Sequence, residues 1–358
     1  MSPLDLSLSS LELTRTICNI PSVSGDETTL ADAIHDAVSA LDHLDVYRDG
    51  DTIVARTMLG RAQRVAIAGH IDTVPINRNL PTRDIVEDDV PMLWGRGTVD
   101  MKAGVAVQLR LAAELVAPRA DITWMWYDHE EVDADLNGLT RLGRTRPDLF
   151  EADFAILGEP SGGEVEGGCN GNLRAIARTR GVRAHSARSW IGENAIHAAA
   201  PILARLAEYR PQTITVDGLD YREGLNAVRI GGGIAGNVIP DLCEVEVNFR
   251  FAPSRTPEQA EKHLRDVLAG FDLEVVDRAA GARPGLDAPL AQEFVAAVGA
   301  VPRPKYGWTD VARFSALGVP AVNYGPGDPH LAHHDDERVP VAQIEAVERG
   351  LRAWLSAA

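Results

Sequence analysis

Positive charge is scarce in this chain. Lys and Arg total 35 against 52 Asp and Glu, giving a formal net charge of −17 on 358 residues. Nucleic-acid binding needs a basic face for phosphates, and a polybasic membrane anchor needs clustered Lys and Arg. This composition argues against both partners. Cysteine is nearly absent: Cys18, Cys169 and Cys243 are scattered, with no short pair spacing. That speaks against a disulfide framework and against a cysteine-rich zinc site. No window approaches the ~20 apolar residues of a membrane-spanning helix. The start MSPLDLSLSSLEL has neither a basic opening nor an apolar stretch of signal-peptide length. A cytoplasmic location is expected. Aromatic residues make up only 5%, so a mainly aliphatic core is expected.

What is present builds a globular protein. The hydrophobic fraction is 45%, and 32 Gly and 21 Pro imply many turns. At roughly 150 residues per domain the length predicts about two domains. Residues 9–18 have helical periodicity, and Asp26 is expected to cap a helix carrying Leu30, Ile34, Val38 and Leu41. Asp49-Gly50-Asp51 reads as a hairpin turn. Arg64–Gly69, Ile122–Tyr127 and Phe154–Leu157 read as buried strands, and Val99–Val116 as a helix. Strands alternating with helices predict an α/β fold.

The pattern changes near residue 171. Arg174–Arg180, Asn226–Ile230 and Cys243–Phe251 alternate apolar with polar residues, and Leu273–Val276 is a final strand. Asn194–Tyr209 reads as one helix, and Thr256–Leu268 as another with Pro257 just inside its start. Strand, helix, two strands, helix, strand is the split βαβ order of an α+β, ferredoxin-like unit. The expected organisation is an α/β domain over 1–172, an insertion over 173–283, and a return over 284–358. The return contains helices near Leu290–Val298 and Val341–Leu355.

Five segments place His, Asp or Glu beside strand ends, where open α/β sheets bind ligands. They are Gly69-His70-Ile71-Asp72-Thr73-Val74-Pro75, Gly95–Gly104 with Asp100, and Tyr127-Asp128-His129-Glu130-Glu131-Val132-Asp133. Gly158-Glu159-Pro160 and His330–Val339 complete the set. Singly, each fits a plainer reading. His70 and Asp72 fit a surface histidine and a helix cap, Asp100 an N-cap, the acidic run a solvated loop, and Asp335 or Asp336 a cap on the last helix. Together, His70, Asp100, Glu130, Glu131, Glu159 and His333 suit two borderline-soft divalent ions with one carboxylate left as a base. The imidazoles favour zinc over magnesium.

In order and spacing, the HIDTVP, GRGTVDMKAG, Glu130-Glu131, GEP and HHDDERV segments resemble the di-zinc aminoacylase and carboxypeptidase G-type metallopeptidase family. The resemblance spans nearly the whole chain. It implies a catalytic α/β domain interrupted by a smaller dimerisation or lid domain, two zinc ions with cobalt able to substitute, and amide hydrolysis. It implies that His70 ligates one zinc with Asp72 orienting it, that Asp100 bridges the ions, and that a cis peptide precedes Met101. Glu130 would be the general base, Glu131 a ligand of the second zinc, and Glu159 the remaining carboxylate ligand of the first. The last histidine is His333 or His334. The family spacing, counted back from Glu337, selects His333.

The same resemblance makes His185 an oxyanion-stabilising residue supplied across a homodimer. Asn226, Asn237 and Arg250 would line the substrate pocket. Gly168–Asn172, His185–Trp190 and Gly307–Phe314, the last including Thr309, resemble an actinobacterial branch of the family. That branch hydrolyses N-succinyl-LL-2,6-diaminopimelate, a small anionic substrate. Deacetylation of N-acetylornithine and aminoacylase activity are the alternatives. Other members carry an arginine-rich glycine loop where this chain has GCNGN. A distal carboxylate would then fall to Asn170, Asn172 or Arg174.

Overall fold

A computed structural model describes residues 3–356, which divide into two compact units. The first comprises residues up to Gly167, Pro284–Arg303, and Thr309 onward; the second comprises Gly168–Arg283 and Pro304–Trp308. The strand Gly171–Arg180 therefore lies wholly in the second unit.

The first unit is built on an eight-stranded sheet. Its strand order is Asp45–Asp49, Thr52–Arg56, Asp121–Tyr127, Arg64–His70, Phe154–Leu157, Ala321–Asn323, Glu166–Gly167 and Arg303–Pro304. The four middle strands, Asp121–Tyr127 through Ala321–Asn323, are parallel, so their C-terminal ends emerge on one edge. Their near-continuous apolar runs are buried on both faces, as parallel strands require. The few aromatic residues concentrate here: Trp124, Trp126, Tyr127, Phe154, Phe294 and Trp354 are all buried, so the core is less purely aliphatic than the composition implies.

Helix Lys102–Glu114 packs on this sheet and is buried along most of its length. It is shorter than the expected Val99–Val116, and its cap position is Met101 rather than Asp100. Its small residues permit close approach. A Cβ added at Gly104 would lie 2.2 Å from the Gly158 carbonyl oxygen. Helix Thr28–Ser39 is capped at Glu27, not Asp26, and without a side-chain cap bond. Neither Asp335 nor Asp336 caps the final helix, because strand Arg338–Pro340 intervenes before Val341. That strand pairs with Val90–Trp94, which pairs with Arg83–Glu87, in a three-stranded sheet the sequence reading missed.

The second unit is a four-stranded antiparallel sheet ordered Gly224–Gly232, Leu242–Phe251, Gly171–Arg180, Asp272–Ala279. With its helices this is the split βαβ arrangement. Alternation along Gly171–Arg180 and Leu242–Phe251 buries one face and leaves the other partly open. The helix expected over Asn194–Tyr209 is two, Ala195–Ala198 and Ala200–Glu208. Pro201, with no N–H to donate, sits in the first turn of the second. Helix Pro257–Val267 begins with a capping box in which Thr256 and Gln259 exchange bonds. The hairpin Thr213–Val216 with Leu219–Arg222 was not anticipated.

Candidate metal centre

Every candidate donor lies in the first unit, and all but Asp100 sit at the end of a parallel strand or in a loop that follows one. His70 ends its strand; Glu130 and Glu131 follow Tyr127; Glu159 follows Leu157; His333 lies beyond Asn323. Asp100 immediately precedes Met101 and helix Lys102–Glu114, and the Asp100–Met101 peptide is cis.

These side chains converge. His70, Asp100 and Glu131 each offer a donor atom within 4.8 Å of the others. Asp100 stands between two imidazoles: its Oδ1 is 3.0 Å from His70 Nε2, and its Oδ2 is 3.4 Å from His333 Nε2. His333 Nε2 also lies 2.9 Å from Glu131 Oε1. Of the two neighbouring histidines, His333 thus joins the cluster. The His334 imidazole bonds to none of it, although its carbonyl accepts from Arg96 at 3.1 Å. His333 has a left-handed φ of 65° and His129 one of 59°, conformations that cost a non-glycine residue energy and concentrate at functional sites.

Asp72 is fully buried behind His70. His70 Nδ1 lies 3.0 Å from the Asp72 backbone carbonyl and 3.4 Å from its carboxylate, so the carbonyl is the nearer partner. A carbonyl can only accept, which puts the ring proton on Nδ1 and leaves Nε2 as the ligating atom. The Asp72 carboxylate instead accepts the backbone N–H groups of Glu130 and Glu131 and the Ser24 hydroxyl.

The electrostatics follow from this crowding. Burial acts to raise Asp100, but hydrogen bonds from His333 and His70 hold its carboxyl well below the usual range. Burial acts to lower His70, yet Asp100 and Asp72 lift it well above an ordinary histidine. Bonds to Asp100 and Glu131 push His333 up to about 10. Burial first, then the charges of Asp310, Glu159 and Glu131, raise Glu130 well above an ordinary carboxyl, against an opposing effect of His70. Glu159, 5% exposed, therefore acts on the same cluster. Asp310 immediately precedes helix Val311–Ala316. It is fully buried, holds Arg313, and accepts from Asn137 Nδ2 at 3.0 Å. Carboxylates and imidazoles gathered this closely fit a divalent cation, whose charge would oppose the burial and the neighbouring carboxylates that hold the proton on Glu130.

The remaining candidates fall into separate groups. Thr309, in the first unit, is buried and donates to Asn323 Oδ1 at 3.0 Å. In the second unit, Arg250 lies opposite Asn172 and Gly224, while Asn226 pairs two rows away with Asn248. Asn172 donates to Asp277 and accepts from Asn248, and Arg174 pairs with Glu246 and Asp277. Arg250, by contrast, meets no carboxylate at ion-pair distance among the described residues, and burial, then Arg174, lower its pKa. Asn170 is buried, and its Nδ2 donates to the Arg222 carbonyl at 3.0 Å. His185 is exposed; its Nδ1 accepts the Ala187 N–H at 3.0 Å, so a neutral ring carries its proton on Nε2. Asn237 adjoins it, its carbonyl accepting the Ser186 N–H at 2.8 Å.

Similarity to other proteins agrees with this geometry. Residues 66–358 match the model of peptidase family M20/M25/M40. A Corynebacterium glutamicum succinyl-diaminopimelate desuccinylase is 47% identical over 364 residues, covering 99% of this chain and 98% of its own. A Mycobacterium tuberculosis protein provisionally named succinyl-diaminopimelate desuccinylase DapE is 52% identical over 355 residues, covering 98% and 99%. Among solved structures, a Staphylococcus aureus tripeptidase shares the fold with a TM-score of 0.78 at 22% identity, covering 97% of both chains. A Sulfolobus solfataricus M20 family metallo-carboxypeptidase does so with a TM-score of 0.76 at 16% identity, covering 98% and 99%. The chain belongs to peptidase family M20/M25/M40.

Proposed function

We propose that the protein is a succinyl-diaminopimelate desuccinylase, converting N-succinyl-LL-2,6-diaminopimelate and water to succinate and LL-2,6-diaminopimelate for lysine and diaminopimelate biosynthesis. The observation that carries this reading is the 47% identity to the Corynebacterium enzyme over essentially both full chains. The donor cluster supports it chemically.

In this reading His70, Asp100 and Glu159 would hold one zinc ion and Asp100, Glu131 and His333 a second, with cobalt able to substitute. When bound, such ions supply Lewis-acid polarisation of the amide carbonyl and acidify the attacking water. Glu130 is the general base: it accepts the water proton as the carbonyl is attacked, then delivers it to the leaving amine nitrogen. Its high proton affinity without a cation suits a group that must hold a proton midway through the reaction. Asp72 fixes the His70 ring through its carbonyl and the 130–131 backbone through its carboxylate.

The substrate carries three carboxylates and one free ammonium. Arg250 is the favoured cation for a carboxylate, because its guanidinium fork makes no ion pair with an acid among the described residues, and Asp277 acts on it only at longer range. Asn172 and Arg174 already serve sheet neighbours and are weaker candidates; Asn226, Asn237 and Thr309 complete the proposed contacts. We propose a homodimer in which His185 Nε2–H of a second copy donates to the developing oxyanion. Its outward Nε2–H supports this role. The edge strand Gly224–Gly232, with Val228 and Ile230 exposed, supports pairing of two such units. A cytoplasmic location accords with the scattered placement of the three cysteines, all of them buried. No helix among the described residues is long and apolar enough to cross a membrane.

Steady-state assays of the zinc- or cobalt-loaded protein on succinyl-diaminopimelate and N-acetylornithine in parallel test the assignment. The expected result is kcat/KM at least ~100-fold higher for the succinyl substrate, a discrimination of about 2.7 kcal/mol. Equal values, or a preference for acetylornithine, would move the protein to the deacetylase alternative.

A further inference from the structure

One buried ion pair lies outside the roles assigned so far. Arg96 is 3% exposed and Glu337 is fully buried, with Arg96 Nη1 donating to Glu337 Oε2 at 2.9 Å. The other Glu337 oxygen, Oε1, accepts the backbone N–H of Val99 at 2.8 Å and of Asp100 at 3.0 Å. The Glu337 carbonyl accepts the Gly95 N–H at 2.9 Å. Arg96 Nη1 also donates to the carbonyl of His334, the residue after His333. Two loops far apart in sequence, Gly95–Asp100 and His333–Glu337, are thus fastened by bonds that end on, or next to, metal-centre donors.

A second strap runs beside the first. The Arg96 N–H donates to the Asn79 carbonyl at 2.9 Å, and Asn77 Nδ2 donates to Asp335 Oδ2 at 2.7 Å. Trp94 Nε1 donates to Asp336 Oδ1 at 2.8 Å. The strap residues hold the loops from outside, whereas Glu337 alone reaches the amide of Asp100 itself.

Burying a guanidinium and a carboxylate costs free energy that their attraction often only balances, and apolar replacements of similar volume are frequently as stable. Fold stability is therefore a weak reason for this pair, while geometry is a strong one. Asp100 Oδ2 and His333 Nε2 stand 3.4 Å apart, and both belong to loops that Glu337 joins. Residues that orient metal ligands through hydrogen bonds act on metal affinity nearly as directly as the ligands do.

We infer that Arg96 and Glu337 are positioning residues for the metal centre: a buried clamp that fixes the loop bearing Asp100 against the loop bearing His333. The inference rests on the metal reading of the preceding subsection. Glu337 is the central member, since one of its oxygens serves the Val99 and Asp100 amides and the other the Arg96 guanidinium.

Cobalt(II) titration of the metal-stripped full chain tests this, followed by the visible absorption of bound cobalt and by chelator competition. Far-UV circular dichroism reports folding. Glu337→Gln keeps a carbonyl oxygen for the Val99 and Asp100 amides but removes the charge facing Arg96. Arg96→Lys keeps the charge but loses the fork that reaches the His334 carbonyl. Each folded variant is expected to bind cobalt at least roughly tenfold more weakly, with an altered absorption band. The double variant is expected to be no weaker than the worse single one, because one device is being broken twice. Wild-type affinity and an unchanged band in either folded variant would overturn the inference. If Glu337→Gln does not fold, Arg96→Lys decides. Failure of both to fold with cobalt present assigns the pair to folding and overturns the inference too. A wild-type chain that binds no cobalt defeats the metal reading itself, which separates the two failures.

Discussion

Asp72 accepts the backbone N–H of Glu130 at 3.0 Å, so the residue behind one donor also sets the loop that carries the proposed base. The His70 ring is held mainly by the Asp72 carbonyl, which substitution of the side chain leaves in place. Asp72→Ala is therefore expected to spare the His70 tautomer and to loosen residues 130–131. Metal affinity should fall roughly 10–100-fold, and kcat should fall even at saturating metal. Isothermal titration with zinc, with kcat measured at saturating zinc, checks this. A loss in affinity alone would confine Asp72 to the His70 side of the site.

Glu130→Gln should leave metal content unchanged, because His70, Asp100 and Glu131 supply the converging donors without it. Turnover should drop about 10²–10⁴-fold, the usual contribution of a positioned base. Elemental analysis and kcat on the same preparation give the answer. Activity within about threefold of wild type at full metal occupancy would remove Glu130 from the role.

Metal binding should strengthen with pH. Without a cation, His70 titrates well above the ordinary histidine value and His333 near 10, so both carry protons at neutral pH. An ion must displace those protons. Apparent cobalt affinity is thus expected to rise about tenfold per pH unit for each proton released, until His333 has lost its proton above about 10. An affinity flat between pH 6 and 8 would show that the imidazoles are not ligands.

Asp128 should contribute to acid stability. Burial raises its carboxyl, but Arg141, Thr52 and His129 outweigh this and hold it below the ordinary carboxylate range. A carboxyl lowered in the folded state stabilises fully above its unfolded value and loses that contribution as pH falls through the folded one. Asp128→Asn should cost about 1–3 kcal/mol at pH 7, with the difference from wild type shrinking below pH ~4. Urea melts at pH 7 and pH 3 measure both. A gap that persists at low pH would mean the loss is one of packing rather than charge.

Gly104→Ala tests how closely helix Lys102–Glu114 must approach the Gly158 strand end. The added methyl would meet the Gly158 carbonyl at 2.2 Å, an overlap that only backbone movement relieves. A loss of about 1–3 kcal/mol is expected, with weaker zinc binding because Asp100 precedes that helix. A thermal melt no lower than wild type would show that the helix has room to shift.

The donors were legible because apolar strands end directly in them. ITWMWY runs into Asp128–Glu131 and FAIL into Glu159, so strand ends and chemistry coincide locally. What local patterning hid was settled by distant partners. Asp100 looked like an N-cap, yet its amide bonds to Glu337, and the Asp335 and Asp336 carboxylates, expected to cap the last helix, accept instead from Asn77 and Trp94. The strands Arg83–Glu87 and Val90–Trp94 escaped notice because their exposed residues show no alternation and their partner, Arg338–Pro340, arrives near the end of the chain. Ser24 and Asp310 acquire significance only through what folds against them.

The main segment of the second unit, Gly168–Arg283, begins and ends at one place. Cys169 and Ala282 exchange backbone bonds at 3.0 Å in each direction, so more than a hundred residues depart and return across a single pair. To the chain around it, such an excursion has the reach of a tight turn. The closure entropy of a loop that long is met within the excursion's own structure, not by the sheet that carries His70 and Asn323. Residues near either end of the sequence can therefore share one site as though the intervening stretch were a few residues long.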